Sequence, residues 1–189
     1  MKKSLLTFAL EQEAQGHFSD YNCLFTGVGK INAAFSLLHY LSENARPSCI
    51  VNLGTAGSAT FNAGQTVHCT RFIQRDMDVT PLGFAKYQTP FSEIPTILEV
   101  FGPETNLPKA CCGTGDHFDI AHTGDDYDVV DMEGYALAHI CHKKQIPFLS
   151  LKYISDGADG QAHEHWEQAL EDGAKALKAA LKNILTEAS

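Results

Sequence analysis

Short apolar runs bounded by turn residues alternate along this chain with amphipathic stretches, and this alternation limits the possible folds more than any other feature. The runs have the length of buried strands, whereas the amphipathic stretches repeat apolar residues at helical spacing. Strands alternating with helices are typical of a mainly parallel sheet covered on both faces. The sequence therefore predicts one α/β domain over residues 1–189, with three layers and a parallel or mixed central sheet of the doubly wound type.

The pattern predicts six strands and three helices. The strands are residues 4–9, 49–53, 66–74, 109–114, 127–131 and 148–154. The helices are residues 30–42, 133–143 and 164–185, and the last has a continuous apolar stripe. Residues 76–95 hold three prolines, a glycine and several aromatic residues, a composition that favours a long functional loop.

The net charge and the cysteines indicate which kinds of partner and which cellular compartment to expect. A net charge of −9 argues against nucleic-acid binding, which needs lysine and arginine to neutralise phosphates. No run approaches the roughly 18 apolar residues of a membrane span. The six cysteines form no CxxC pair and lie mostly in apolar runs, as reduced thiols do. We therefore expect a cytoplasmic protein whose partner is a small molecule or another protein.

Ligands of open α/β sheets bind at the carboxyl ends of the strands, and four such junctions stand out. They are GVGK at 27–30, VNLGTAGSA at 51–59, VVDMEGYA at 129–136 and LKYISDGAD at 151–159. The first lacks the third glycine of a dinucleotide-binding loop, since Asn32 stands there. Taken singly, each junction has a structural alternative: Glu133 is also a favourable helix-start acid, and Asp156 is also a helix or turn cap.

Six motifs in order carry a more specific signal. They are GVGKINA, NLGTAGSA, RDMDVTPLGF, GDHF, VVDMEGYALAHIC and IPFLSLKYISDGAD. In this order they resemble the methylthioadenosine/adenosylhomocysteine nucleosidases of the nucleoside phosphorylase superfamily. The resemblance implies an enzyme that hydrolyses the N-glycosidic bond of a purine nucleoside, such as 5′-methylthioadenosine or S-adenosylhomocysteine. It implies neither a cofactor nor a metal.

The resemblance also implies catalytic roles. Asp156 matches the family's general acid, which protonates the leaving purine, and Ser155 beside it orients the carboxyl group. ALEQEA resembles the family's AMEEE segment, which makes Glu13 the base that activates water; an ordinary helix-start glutamate is the alternative. Glu133 matches the residue that binds the ribose hydroxyls, and Met132 matches the one against the sugar face.

Further positions are expected to contact the substrate. Phe118 falls where the family stacks an aromatic ring on the purine, with core packing as its alternative. The remaining contacts are Val28, Thr55 and Ala56 in the chain's own site, and Val79, Leu82, Phe84 and Pro90 in the neighbouring subunit's site, at the 5′ substituent. The last set implies a homodimer. Because it is apolar, it suits a 5′-alkylthio group better than a phosphate.

Two alternatives remain open. A phosphorylase would use phosphate as the nucleophile. None of the three arginines stands in the position before the NLGTAG turn where phosphorylases place one, since this chain has Asn52 there, so water is favoured. A non-catalytic nucleoside-binding protein would bind without turnover. The chain is also shorter than the family norm between Glu13 and Gly27 and between Phe118 and Met132, which puts closure of the pocket in question.

Overall fold

The computed structural model describes residues 4–117, 126–156 and 166–187. Its strands are β1 (Leu5–Phe8), β2 (Cys23–Phe25), β3 (Ile50–Gly57), β4 (Thr66–Gln74), β5 (Leu98–Glu99), β6 (Lys109–Thr114), β7 (Val129–Asp131) and β8 (Phe148–Asp156). Its helices are α1 (Glu11–Ala14), α2 (Lys30–Glu43), α3 (Gly134–Lys144) and α4 (Trp166–Glu187). The predicted α/β class is confirmed. The pattern missed β2, β5 and α1 because elements of two to four residues are too short to show a periodicity.

All eight strands belong to one mixed sheet. The strand order is β2-β1-β3-β7-β6-β4-β5, and β8 pairs with both β3 and β4. β8 is parallel to β3 from Phe148 to Asp156 and antiparallel to β4. Strands β3, β7, β6, β4 and β8 therefore form a closed circuit of pairings.

Two hydrophobic clusters cover the two faces of the sheet. One cluster packs Leu37 of α2 and Leu137 of α3 against Ile50 of β3. The other packs Ala14 of α1 and Leu177 of α4 with the remaining apolar residues of β1, β3 and β8. Successive residues of a strand point to opposite faces, so each central strand supplies both clusters. The result is the three-layer arrangement that the alternating pattern predicts.

The apolar stripe of α4 packs against the sheet. Ala174, Leu177, Leu181 and Ile184 are all buried there. Over the described parts of the chain, no helix combines the length and the apolar character that crossing a membrane requires. All six cysteines are free thiols, and five of them are buried.

Candidate active site

The Glu13 carboxylate lies buried beside the middle of β3. Its Oε2 accepts hydrogen bonds from the backbone N–H groups of Ala9 and Leu10, at 3.1 and 3.2 Å. Its Oε1 accepts from the Thr55 N–H at 3.0 Å and from the Thr55 hydroxyl at 3.3 Å. Gly54 leaves room for this arrangement, since a Cβ there would lie 2.9 Å from Oε1. The turn after β1 and the end of β3 thus hold both carboxylate oxygens.

The second carboxylate is that of Glu133, which immediately precedes α3. It is 8% exposed, and its Oε1 accepts a hydrogen bond of 2.8 Å from the Gly29 N–H. Burial, and after it the charge of Asp131, raises the pKa of Glu133 to about 7, and the charge of Glu13 contributes in the same direction. Because the charge of Glu13 acts on Glu133, the two carboxylates are neighbours in one electrostatic environment. Val28, one residue before Gly29, is 41% exposed at the same turn.

A buried ion pair lies close to both glutamates. Lys152 Nζ of β8 lies 2.9 Å from Asp131 Oδ2 of β7, and both side chains are almost fully buried. The Thr114 hydroxyl donates to Asp131 Oδ1 at 2.6 Å, and the Gly134 N–H donates to Oδ2 at 2.9 Å. Burial alone would raise the pKa of Asp131, but the charge of Lys152 together with the hydrogen bonds from Thr114 and Lys152 lowers it. The same attraction keeps the pKa of Lys152 raised despite its burial.

The sequence analysis did not single out Asp131 or Lys152. Each is a charged residue inside an otherwise apolar run, VVDM and LSLKYI. Charged side chains in buried strands are almost always paired. Two such residues in separate strands were therefore a usable signal for contact, although the pattern does not tell which strands are adjacent.

The other predicted catalytic residues lie at the end of β8. The Ser155 hydroxyl donates to the Ala56 carbonyl at 3.4 Å, and the backbone of Asp156 is in register with Gly57 of β3. Met132 is half-buried between the Asp131 and Glu133 positions. Phe118 lies outside the described residues. The parallel pairing of β3 with β8 therefore brings the NLGTAG and ISDG motifs to the same end of the sheet.

The predicted functional loop follows β4 and is irregular apart from a 3-10 turn at Thr80–Leu82. Val79, Phe84 and Pro90 are half-buried. Leu82 and Phe91 are exposed, by 73% and 95%. The Phe91 ring packs edge-on against that of Phe84, with the ring centroids 5.5 Å apart. Part of the apolar surface of this loop thus points away from its own chain.

A groove of about 430 Å³ lies between α2 and α3. Ile31, Ala34, Ala136 and Ile140 form most of its apolar wall. Lys30 at its rim donates from Nζ to Asp76 Oδ1 at 2.5 Å, which ties the start of α2 to the functional loop. Within the described ranges, three or more His, Cys, Asp or Glu side chains are nowhere grouped so as to hold a metal ion.

Known proteins are similar to this chain along most of its length. The family model described as phosphorylase superfamily matches residues 117–186. The 5′-methylthioadenosine/S-adenosylhomocysteine nucleosidase of Anoxybacillus flavithermus is 31% identical over 172 residues, covering 80% of this chain and 74% of the relative. This chain belongs to the nucleosidase branch of the phosphorylase superfamily. It is a nucleosidase, a hydrolase that cleaves the N-glycosidic bond of a purine nucleoside.

Solved structures share the fold of this nucleosidase. The 5′-methylthioadenosine/S-adenosylhomocysteine nucleosidase of Neisseria meningitidis, in complex with methylthio-immucillin-A, has a TM-score of 0.81 at 23% identity, covering 97% of this chain and 100% of the other. The futalosine hydrolase of Helicobacter pylori has a TM-score of 0.83 at 18% identity, covering 98% of both chains. One fold therefore serves nucleosidases with different names and substrates.

Proposed function

We propose that this nucleosidase releases adenine from a 5′-thio-substituted adenosine, with 5′-methylthioadenosine and S-adenosylhomocysteine as its substrates. The observation that carries the proposal is the pair of buried carboxylates, Glu13 and Glu133, held by separate turns in one electrostatic environment. Departure of the purine leaves a sugar with oxocarbenium character, which negative charge stabilises. The name of the Anoxybacillus relative, and the name and the bound methylthio-immucillin-A of the Neisseria structure, support the 5′-thio group.

Glu13 acts as the base that activates the attacking water. Its oxygens accept four hydrogen bonds, so the carboxylate is aligned before the substrate arrives. The bond from the Thr55 hydroxyl, at 3.3 Å, is the longest of the four. We expect the water to replace this bond at Oε1 and to pass its proton to Glu13 as it attacks the anomeric carbon.

Glu133 binds the ribose hydroxyls. One of its oxygens is held by the Gly29 N–H, which leaves the other for the sugar. With a pKa of about 7, Glu133 is near the balance between its neutral and charged forms at neutral pH. Positive charge developing on the sugar favours the charged form, so the interaction strengthens towards the transition state.

The purine is protonated by Asp156, with Ser155 orienting its carboxyl group, and it stacks on Phe118. Met132 contacts the sugar face, and Val28 together with Thr55 and Ala56 of β3 lines the remainder of the site. The pairing of Asp156 with Gly57 supports this arrangement, because it brings the end of β8 to within two residues of Thr55.

The test measures free base by liquid chromatography from methylthioadenosine, adenosylhomocysteine, adenosine, inosine and futalosine, each with and without phosphate. Release of adenine from the thio-substituted compounds without phosphate supports the proposal. Release only with phosphate identifies a phosphorylase, and binding without release identifies a nucleoside-binding protein. Futalosine as the preferred substrate would overturn the 5′-thio assignment.

Variants of α1 test the role of Glu13. We expect Glu13→Gln to abolish most turnover, because the amide cannot accept the proton of the attacking water. Glu11→Gln is the matched control, since Glu11 lies on the same helix and is exposed. Full activity of Glu13→Gln would exclude Glu13 as the base.

The active form is a homodimer. α2 exposes Ile31, Phe35 and Leu38, which are 80%, 70% and 44% exposed, next to the groove between α2 and α3. A contiguous apolar surface of this kind is typical of a protein interface. We propose that the partner's functional loop covers it and brings Val79, Leu82, Phe84 and Pro90 to the 5′ substituent.

The enzyme functions in the reducing cytoplasm. Its six free thiols support this location, because cysteines in oxidising compartments usually pair. Burial raises the pKa of Cys49 and of Cys111 to about 11, so both remain protonated and unreactive at neutral pH. Their role is to pack the core.

A further inference from the structure

The helix that carries Glu13 cannot hold its own position. α1 has four residues, and a helix this short is not stable by itself. It ends at two residues in the left-handed region, Gln15 with φ 45° and Gly16 with φ 69°, which reverse the chain. The direction of the Glu13 side chain therefore depends both on its hydrogen bonds to Ala9, Leu10 and Thr55 and on whatever holds the segment after α1, which is residues 15–22.

This segment packs on α4. Phe18 is 1% exposed, and its ring lies 5.0 Å from that of Phe8 and 6.2 Å from that of Tyr21. Ala14 and Phe18 share one buried cluster with Leu177 of α4. A backbone hydrogen bond of 2.8 Å from the His17 N–H to the Ala14 carbonyl joins the segment to α1.

One side chain of α4 makes three contacts with this segment. Lys178 Nζ donates to the His17 carbonyl at 2.8 Å, and it lies 4.2 Å from the centre of the Tyr21 ring and 5.2 Å from that of Phe18. A cation over two aromatic faces with a carbonyl acceptor is held in one place. A weaker contact of 3.4 Å joins His17 Nε2 to Glu171 Oε1 on the same helix.

We infer that Lys178 is a positioning residue for the Glu13 carboxylate, an inference that rests on the proposed role of Glu13. Lys178 fixes the His17 carbonyl, His17 is bonded to Ala14, and Ala14 follows Glu13. Without the ammonium group the segment loses the hydrogen bond at the His17 carbonyl and the cation over the Tyr21 and Phe18 rings, and Glu13 moves relative to Thr55. A shift of about 1 Å in a catalytic group can reduce turnover by about 100-fold.

The experiment compares Lys178→Met, Lys178→Arg and Lys175→Met in the full chain. Methionine keeps the length and apolar stem of Lys178, and arginine keeps its charge. Lys175 is the matched control, since it lies one turn away on α4 and its ion pair is with Glu171 of the same helix, not with the His17 carbonyl or the Tyr21 ring. Each variant is measured for kcat, KM, thermal midpoint and hydrogen exchange of the Ala9, Leu10 and Thr55 amides, which bind Glu13.

We expect Lys178→Met to lower kcat about 10-fold or more, with little change in KM, and to speed exchange of the three amides. Lys178→Arg should restore most of the kcat, and Lys175→Met should resemble the wild type. An unchanged kcat in Lys178→Met, or a loss that follows the thermal midpoint without faster exchange, would overturn the inference.

The outcome is separate from that of the proposed function. If Glu13→Gln keeps full activity, the base assignment fails, yet amide exchange still reports whether Lys178 holds α1. If Glu13→Gln is inactive and Lys178→Met has wild-type kcat and exchange, the base assignment stands and the positioning role fails. If Lys178→Met does not fold, Lys178→Arg and Lys178→Gln are compared by the same measurements, and equal kcat in the two would contradict the inference.

Discussion

Among individual residues, the charge balance of the site depends on one buried cation. Lys152 faces Asp131 directly, and its charge also acts on Glu133. The charge of Lys152 and the hydrogen bonds to Asp131 together lower the pKa of Asp131, whereas burial, and after it the charge of Asp131, raises that of Glu133. Glu133, which shares one lysine with two neighbouring carboxylates, is therefore the group whose pKa is raised to near neutral pH.

The raised pKa of Glu133 predicts a pH-dependent stability. A carboxyl group whose pKa rises from 4.5 to about 7 on folding stabilises the protein fully below pH 4.5, and this contribution is lost as the pH rises through 7. One pKa unit corresponds to about 1.4 kcal/mol, so ionisation in the folded state costs at most about 3.5 kcal/mol. Glu133→Gln removes this cost.

Thermal unfolding of the wild type and Glu133→Gln between pH 5 and pH 8 measures the effect. We expect the variant to gain stability relative to the wild type as the pH rises, with the largest difference at pH 8. The Gln side chain can still accept the hydrogen bond from Gly29. A constant difference across this range would show that Glu133 does not titrate there.

The same substitution predicts a loss of turnover. Glu133→Gln removes the negative charge that we propose stabilises the sugar in the transition state, and one such electrostatic interaction is typically worth about 100-fold or more in kcat. Steady-state kinetics with methylthioadenosine measure the loss, and circular dichroism checks that the fold survives. Unchanged turnover would exclude the ribose-binding role.

Lys152→Met tests the buried ion pair. Removing one partner leaves the Asp131 charge buried without compensation, which typically costs about 3 to 5 kcal/mol. Chemical denaturation measures the change. Lys109→Met is the control, because Lys109 forms an ion pair with Glu104 of similar length, 2.8 Å, at the surface, where we expect little change. Equal effects of the two substitutions would contradict the burial argument.

At the level of elements, the start of α2 joins three parts of the site. The first free N–H groups of a helix bind negative charge well. Here the Gly29 N–H donates to Glu133 and the Lys30 N–H donates to Asp116 Oδ1, each at 2.8 Å. Gly27 and Gly29 have φ values of 81° and 92°, so glycine is required for this turn. The backbone N–H groups of Gly29 and Lys30 in the GVGK motif therefore bind side chains of the protein.

Gly29→Ala tests this turn. A Cβ would strain the backbone and lie 3.1 Å from Asp116 Oδ1, so the Glu133 contact shifts. Gly83→Ala is the matched control, because φ there is 85° and a Cβ would meet nothing within 4 Å. We expect Gly83→Ala to cost about 1 kcal/mol with normal turnover, and Gly29→Ala to lose both stability and affinity for substrate. Equal unfolding midpoints and KM values would contradict the prediction.

The whole molecule is expected to be a dimer through the exposed face of α2. Phe35→Glu places a charge in that interface and should give a monomer in size-exclusion chromatography with light scattering. The monomer should also show a raised KM for methylthioadenosine, because the partner's loop no longer reaches the 5′ substituent. Phe101→Glu, at a phenylalanine outside α2 that is 49% exposed, should remain a dimer. A monomeric wild type would refute the interface.

The sequence by itself determined the class of fold, the ends of most long elements and the family. Strands β4 and β6 begin and end at the predicted residues. Strands β3 and β8 extend past their predicted last residues into the NLGTAG and ISDG motifs. These features are local: periodicity, turn residues and motif order are properties of neighbouring positions along the chain. The same is true of the candidate carboxylates, which adjoin the ends of apolar runs.

Only the tertiary structure decided which side chains meet. Lys152 reaches Asp131 because the sheet closes through β7 and β8, and Glu133 meets Gly29 because α2 and α3 begin at the same edge. Lys178 meets His17 although 161 positions separate them. Contacts of this kind depend on strand register and sheet curvature, which long-range packing sets and which a local pattern of residues does not encode.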